Sequence, residues 1–361
     1  MSVAWIGNQA VSLTVAIQQS ATLLVSSRCP VFSIDSDVHG SRAAIALAQR
    51  LGAAYDHVKG NDLAREVALY SNHGGFFTTP GETRRRADCI VLVGEIPADH
   101  HELMLSLAAV SPDLAPPGGR TWFQLGGGQA DGLAAKLGTV RVGEAEQPLS
   151  KLLGLARALL AGRKASMALT AAEEFRTALL RAQFPVFIFS GYRQDQASLQ
   201  MLQGLIADIN QSRRASSLFL PADDGAWGFA LTSLWMSGFP PRTSFADGGP
   251  AYDPQLFDIG RMLDEGEADL HLWISEDETR PPQGSQQPVL IAFSYSPRPV
   301  GGAAVTVRIG KAGADHAGVG YSSRTGSFAA RDATAPSDLP PVSAILRQLA
   351  QALPPGEELP C

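Results

Sequence analysis

Apolar residues along the chain alternate between short unbroken runs and longer stretches with helical spacing, so strands and helices are expected in turn. Residues 12–24 carry Val15, Ile17, Leu23 and Leu24 on one helical face, and 31–34 form a short buried strand. Residues 38–51 place Ala43, Ala44, Ile45, Leu47, Ala48 and Leu51 for a helix that Gly52 stops. Strand, polar loop and helix in that order make a βα unit. Further helices are expected over 63–70, 83–87 and 148–160, with strands over 89–93 and 121–125. Residues 113–119 are rich in Pro and Gly and read as a loop. Beyond them the pattern resumes. Helices are expected over 171–182, 197–210, 257–265 and 342–353, and strands over 186–189, 217–220, 270–275, 289–293 and 303–309. Residues 237–254 and 318–331 read as Gly/Pro-rich and turn-rich connections.

Two parts of this pattern occur twice. Cys29-Pro30-Val31-Phe32-Ser33-Ile34 returns as Phe184-Pro185-Val186-Phe187-Ile188-Phe189. Ala87-Asp88 before Cys89-Ile90-Val91-Leu92-Val93 returns as Ala268-Asp269 before Leu270-His271-Leu272-Trp273-Ile274. The chain therefore reads as an α/β protein of two Rossmann-like α/β lobes related by an internal repeat. The expected division is a first lobe over 1–165, a second over 166–300, and a short C-terminal remnant with a terminal helix over 301–361.

Composition narrows the class. The 361 residues are 45% hydrophobic and 18% charged, enough for a substantial core. A net charge of -6 argues against a dedicated nucleic-acid binder. No apolar run reaches the ~18 residues of a membrane span. Met1-Ser2-Val3-Ala4-Trp5 does not read as a secretory signal. Cys29, Cys89 and Cys361 form no CxxC, and the first two fall at or in expected strands as small hydrophobes. Reducing cytoplasm is the expected compartment.

The candidate chemistry is sparse. Gly126-Gly127-Gly128 follows a strand but lacks the spacing of a dinucleotide or P-loop fingerprint, so a turn is favoured. His100-His101-Glu102 lacks HExxH spacing, and neighbouring helical positions point about 100° apart, so a solvated helix start is favoured. Asp35-Ser36-Asp37 lies at a strand end, where α/β folds bind ligands, but a helix cap is favoured. Ser190-Gly191-Tyr192 occupies the matching place in the second half and has no GxSxG. His271 reads as a satisfied core or rim histidine. Asp223-Asp224-Gly225 and Asp247-Gly248-Gly249-Pro250 read first as turns. No nucleophile has a base at recognisable spacing, so no catalytic, cofactor-binding or metal-binding residue is assigned.

The order of segments nonetheless resembles a known family. Asp56-His57-Val58, the run Gly81-Glu82-Thr83-Arg84-Arg85-Arg86-Ala87-Asp88, and Gly94 after the next strand resemble the catalytic B subunit of formylmethanofuran dehydrogenase, a molybdopterin oxidoreductase. Phe245-Ala246-Asp247-Gly248-Gly249-Pro250-Ala251-Tyr252-Asp253-Pro254 and Gly318-Val319-Gly320-Tyr321-Ser322-Ser323-Arg324 are similar to later parts of that family's pattern. The resemblance covers roughly residues 10–350. The departures bear on function. The family's iron–sulfur cysteines are reduced to Cys29. Its metal-ligating cysteine and the adjacent histidine would fall just after Asp56-His57, where this chain has Gly60-Asn61-Asp62-Leu63. Its arginines match Asp247 and Ala251 here, and its pterin-binding domain is reduced to the piece after Gly301.

Such losses resemble the B-subunit family of bacterial formyltransferase/hydrolase complexes. That resemblance implies a non-redox structural subunit and no cofactor on this chain. It places zinc and a methanofuran-like carrier on the partners: an amidohydrolase-like zinc subunit, a formyltransferase subunit and a further small subunit. The assembly would transfer a formyl group from formyl-tetrahydromethanopterin to the carrier and hydrolyse it to formate. Two alternatives stay open. One is an active molybdenum- or tungsten-pterin subunit with Asp62 as a metal ligand. The other is an independent small-molecule binding protein using a cleft between lobes.

Overall fold

A computed structural model of the chain describes residues 3–127, 132–144, 146–163, 170–191, 194–277, 281 and 288–355, apart from the side chains of residues 72 and 73. It opens with strands β1 (Ala4–Ile6) and β2 (Gln9–Val11) and helix α1 (Leu13–Ser26). Strand β3 (Pro30–Asp35), helix α2 (Val38–Leu51), strand β4 (Ala54–His57) and helix α3 (Gly60–His73) follow. Next come α4 (Pro80–Arg86), β5 (Cys89–Val93), α5 (His101–Ala108), β6 (Thr121–Leu125), α6 (Leu133–Leu137) and β7 (Val140–Val142). They are succeeded by α7 (Leu149–Leu160), α8 (Ala172–Arg181), β8 (Pro185–Ser190), α9 (Gln196–Asn210), β9 (Ser216–Leu220) and α10 (Asp224–Ser237). The last stretch holds β10 (Thr243–Ser244), β11 (Ala251–Tyr252), α11 (Ile259–Asp264), β12 (Leu270–Ser275), β13 (Val289–Ser294) and β14 (Val305–Arg308). A hairpin of β15 (Gly318–Ser322) and β16 (Ser327–Arg331) precedes α12 (Val342–Ala352).

The mixed α/β class matches the pattern, but the domain boundaries do not. Met1–Ala64, Asp223–Tyr321 and Phe328–Cys361 form one compact unit, and Arg65–Ala222 with Ser322–Ser327 forms the other. Both are discontinuous, unlike the contiguous 1–165, 166–300 and 301–361 division. Strand pairing is the reason. β5 lies before residue 165 and β8 after it, yet they are parallel neighbours from Cys89↔Pro185 to Val93↔Phe189. The C-terminal stretch is not a separate domain either, because β14 sits inside the first unit's sheet, parallel to β13 and antiparallel to β1.

The first unit's nine-stranded sheet has the order β11-β10-β4-β3-β12-β13-β14-β1-β2. Its five central strands are parallel, and short antiparallel strands close both edges. Val31 and Ala54 pack with Ile259, Met262, Leu263 and Ala268 around α11. Phe32 and Ile34 alternate to the opposite face of β3 and are also buried. The second unit's five strands are all parallel, in the order β7-β6-β5-β8-β9. By order of appearance that is 3-2-1-4-5, a doubly wound arrangement. Ile90, Leu92, Val186 and Ile188 pack with Leu103, Met104 and Leu137 on one face. Phe123 meets Phe175 of α8 edge-on, ring centroids 5.2 Å apart.

The repeated motifs acquire a physical meaning here. Asp269, just before β12, accepts hydrogen bonds from the Arg28 N–H at 2.7 Å, the Cys29 N–H at 3.0 Å and the Ser27 hydroxyl at 2.5 Å. Asp88, just before β5, accepts from the Gln183 N–H at 2.7 Å and the Phe184 N–H at 3.0 Å. In each unit the carboxylate satisfies the donors that lead into a Pro-Val-Phe strand and fixes its start beside the Ala-Asp strand. The order differs: in the first unit the Pro-Val-Phe strand comes first, and in the second the Ala-Asp strand does.

Residues 237–254 and 318–331, expected as connections, contain the β10/β11 and β15/β16 pairs. Helix α10 is invisible to periodicity because Ala226, Trp227, Phe229, Ala230, Leu231, Leu234 and Trp235 give it no polar face. Asp223 caps its start through the Ala226 N–H at 2.8 Å, and Gly238 at φ +80° ends it. Among the described residues, no helix is long and apolar enough to cross a membrane.

His271 on β12 is buried as a satisfied core histidine, with Nε2 2.9 Å from the Ser33 hydroxyl of β3. Burial pushes its pKa down to about 4. The His271 contribution to stability is therefore expected to be full above the unfolded histidine pKa of about 6.5 and to be lost as pH drops from there toward 4, by ~3 kcal/mol in all, opposite in sign to the contribution of the raised Asp56 carboxyl. His271→Asn should remove that contribution, so the stability difference between variant and wild type in urea unfolding should change with pH between 4 and 7. Asp269→Ala should cost about 1 kcal/mol in the same assay, since three donors lose an exposed acceptor.

Candidate functional site

Open α/β sheets receive ligands beyond the carboxyl ends of their strands, where the strand order reverses. In the first unit β4 lies on one side of β3 and β12 on the other, so the reversal falls between β3 and β12. Their last residues, Asp35 and Ser275, are in register. A cavity of about 190 Å³ lies at this point. Five carboxylates line it: Asp35, Asp37, Asp223, Glu276 and Asp277. Its cationic lining side chains are Lys311 and Arg331.

Almost every one of these groups is engaged. Asp37 caps α2 through the Gly40 N–H at 2.8 Å, and its other oxygen accepts from the Val319 N–H at 3.1 Å. Glu276 accepts from the Ser36 hydroxyl at 2.5 Å and from the Asp37 and Ala312 N–H groups at 3.1 and 3.0 Å. Burial pushes the Glu276 pKa up, against the lowering effect of these donors. Lys311 pairs with Asp277 at 2.5 Å, and Lys59 pairs with Asp223. Burial raises the Asp223 pKa, but the Lys59 ammonium and the Ala226 N–H outweigh it and hold the carboxyl below its usual range. His57 is buried at the end of β4 against Phe229, ring centroids 5.5 Å apart. Its Nδ1 accepts the Lys59 N–H at 3.0 Å, while Nε2 has no hydrogen-bond partner and lies 3.7 Å from Asp35 Oδ1.

Beside it is a buried ionic network. Arg242 contacts Asp56 Oδ2 at 3.1 Å and Asp258 Oδ2 at 2.9 Å, and donates to Asn61 Oδ1 and the Pro254 carbonyl, both at 2.6 Å. Burial pushes the Asp56 pKa up to about 6 despite the Arg242 guanidinium. Arg242 has φ +68°, a left-handed backbone conformation costly for a non-glycine residue and held here by four acceptors. Gly60 is required beside it, because a Cβ would lie 2.1 Å from Asp56 Oδ2.

The sequence-level candidates scatter. Of Asp35-Ser36-Asp37, Asp37 is the expected cap and all three line the cavity. Asp223 is a helix cap and ion-pair partner rather than a turn residue. Asp247 is exposed in a turn closed by the Gly248 N–H on the Phe245 carbonyl at 3.1 Å, as expected. His100 is not solvated: it is buried, with Nε2 2.8 Å from the Pro221 carbonyl and Nδ1 3.1 Å from the Ser323 hydroxyl. His101 Nε2 bonds the Ile96 carbonyl, so the two rings engage different partners. Gly126 and Gly127 form a left-handed turn that Gln124 ties to the Gly94 and Gly126 carbonyls, and Gly128 lies outside the described residues. Ser190 is buried, and Tyr192 lies outside the described residues. Cys89 is buried, its thiol pushed up to about 12 by burial. Cys361 lies outside the described residues. Sequence reasoning missed Glu276 and Lys311, although the strand-end rule that flags Asp35 applies equally to Glu276 after β12. Arg242 gives no signal, since its acceptors come from distant segments of the chain.

Known proteins share this architecture. The B subunit of the formyltransferase/hydrolase complex Fhc of Methylorubrum extorquens is 32% identical over 343 residues, covering 93% of this chain and 93% of that protein. The chain belongs to that B-subunit family. A chain in the crystal structure of the Methylorubrum extorquens formyltransferase/hydrolase complex (FhcABCD) with methylofuran superposes with a TM-score of 0.85 at 31% identity, covering 96% of this chain and 98% of that one. The B subunit of the tungsten-containing formylmethanofuran dehydrogenase 2 of Methanocaldococcus jannaschii is 23% identical over 283 residues, 73% of this chain and 63% of that protein. No protein-family model matches the chain.

The tungsten of the family's archaeal relatives does not fit the residues present here. Where a thiolate ligand is expected, Gly60 packs on Asp56, Asn61 is held by Arg242, and Asp62 is exposed on the first turn of α3. A soft sulfur donor is missing from that set. Among the described residues, no three His, Cys, Asp or Glu side chains are grouped to hold a metal ion. The Arg242 network acts instead as a structural bolt. Arg242→Ala should cost about 3–5 kcal/mol in chemical denaturation by stranding the Asp56 charge, and adding Asp56→Asn should recover part of the loss.

Proposed function

We propose that this chain is a non-redox structural subunit of a formyltransferase/hydrolase complex in one-carbon metabolism. The complex transfers a formyl group from formyl-tetrahydromethanopterin to a methanofuran-like carrier and hydrolyses it to formate. The single observation that carries this reading is similarity over nearly the whole length to the B subunit of the Fhc complex. The donor set after Asp56-His57 supports the non-redox part, since no thiolate stands there.

In this reading zinc belongs to an amidohydrolase-like partner, and the carrier is handled by that partner and by a formyltransferase subunit. A further small subunit completes the assembly in the cytoplasm. This chain binds no cofactor, and it has no catalytic residue of its own. Its two Rossmann-like lobes descend from one ancestral unit, a view supported by the matching Asp269 and Asp88 clamps. The aromatic area left open on α10, with Trp235 61% exposed, suits a chain that works among other subunits.

Elemental mass spectrometry of the complex purified from its native host tests the reading. Zinc is expected, with tungsten and molybdenum far below one per copy of this chain. Either metal at one per chain would return the subunit to redox chemistry.

A further inference from the structure

We propose that the Glu276 carboxylate is a built-in occupant of the first unit's strand-end crevice, taking the donors that the phosphate of an anionic cofactor would otherwise take. Three donors from two separate segments converge on it: the Ser36 hydroxyl and Asp37 N–H beyond β3, and the Ala312 N–H of a later loop. This is the place where α/β folds receive ligand phosphates, between a strand end and the following helix. The helix itself is closed in the same way. Asp37 caps α2 with one oxygen and takes the Val319 N–H with the other. Close approach is needed for this: a Cβ on Gly40 would lie 2.0 Å from Ser36 Oγ, and one on Gly318 would lie 2.6 Å from the Ala312 Cβ.

The remaining groups keep anions out. Lys311 and Lys59 are neutralised by Asp277 and Asp223, Arg331 is turned to the Tyr321 carbonyl at 2.6 Å, and Asp35 adds a further negative charge. The residual cavity of about 190 Å³ is smaller than the roughly 300 Å³ at which pockets for drug-sized ligands begin. A pterin dinucleotide, with its pyrophosphate, is excluded on both charge and size. The second unit also places a carboxylate beyond its strand ends. Glu66 is buried there and accepts the Ala222 N–H at 2.8 Å just beyond β9. Gly191, just beyond β8, packs so closely that a Cβ would lie 2.5 Å from Glu66 Cγ.

This assignment rests on the non-redox reading of the chain. Its test is thermal unfolding of the full chain titrated with phosphate or acetate against chloride of matched ionic strength. Wild type is expected to give no saturable, anion-specific rise in Tm. Glu276→Ala is expected to lose several degrees in chloride and to regain at least half of that, saturably, in phosphate or acetate. Glu276→Gln keeps the shape of the side chain, so it is expected to lose less and to ignore the added anions. A Glu276→Ala deficit that neither anion repairs overturns the assignment. So does a saturable phosphate response in wild type, which needs no variant to fold. Tungsten or molybdenum at one per chain would sink the non-redox reading itself, whereas an unrepaired Glu276→Ala without those metals sinks only the role of Glu276.

Discussion

The parallel, in-register pairing of β3 with β12 is the contact on which the first unit depends. It joins segments about 240 residues apart along the chain, from Pro30↔Leu270 to Ser33↔Trp273 and Asp35↔Ser275. Closing so long a loop adds little entropic cost over a shorter one, because that cost grows only logarithmically with length. Asp269 holds the entry by ordering the three residues before Pro30, and His271 ties the strands midway through Ser33. The exit of the pair then sets Asp35 beside Ser275 and delivers Glu276 to the Ser36-Asp37 backbone. The contacts of Glu276 with Ser36 and Asp37 follow from this register. A slip of one residue would put His271 and Ser33 on opposite faces of the sheet.

The charges brought together there serve the fold before any ligand. Lys59, Lys311 and Arg242 each have carboxylate partners within the first unit. The two lysine pairs are partly exposed and add little, whereas the Arg242 pairs are buried, weak as net stability but costly to break, so they fix geometry more than they add free energy. These pairings also explain why the strand-end crevice, the usual ligand site of this architecture, is small and anionic here.

Relatives of this chain include tungsten-containing dehydrogenase subunits in archaea and the B subunit of a formyltransferase/hydrolase complex. Fold alone does not carry function, which depends on the side chains placed on it. In this chain the places after Asp56-His57 hold glycine, asparagine and aspartate, each tied to structure or turned to solvent. None of the three is a sulfur donor.

Local elements are legible in the amino-acid pattern. Strands such as Leu270–Ser275 and helices such as Val38–Leu51 are readable because an unbroken apolar run or one apolar face marks each, and Asp37 and Gly52 mark the helix ends. The doubled Pro-Val-Phe and Ala-Asp signals are readable too, and so is the lack of sulfur ligands. How the pieces combine is settled in three dimensions. Which strand pairs with which is a long-range choice that no local pattern encodes, so the contiguous halves suggested by the repeat give way to two interleaved units. Helix α10, apolar on all sides, is hidden because periodicity needs a polar face to register. The site is hidden for a related reason. Glu276 is an ordinary carboxylate after a strand until register sets it against Ser36, Asp37 and Ala312, and Arg242 is an ordinary arginine until its backbone turns left-handed among four acceptors.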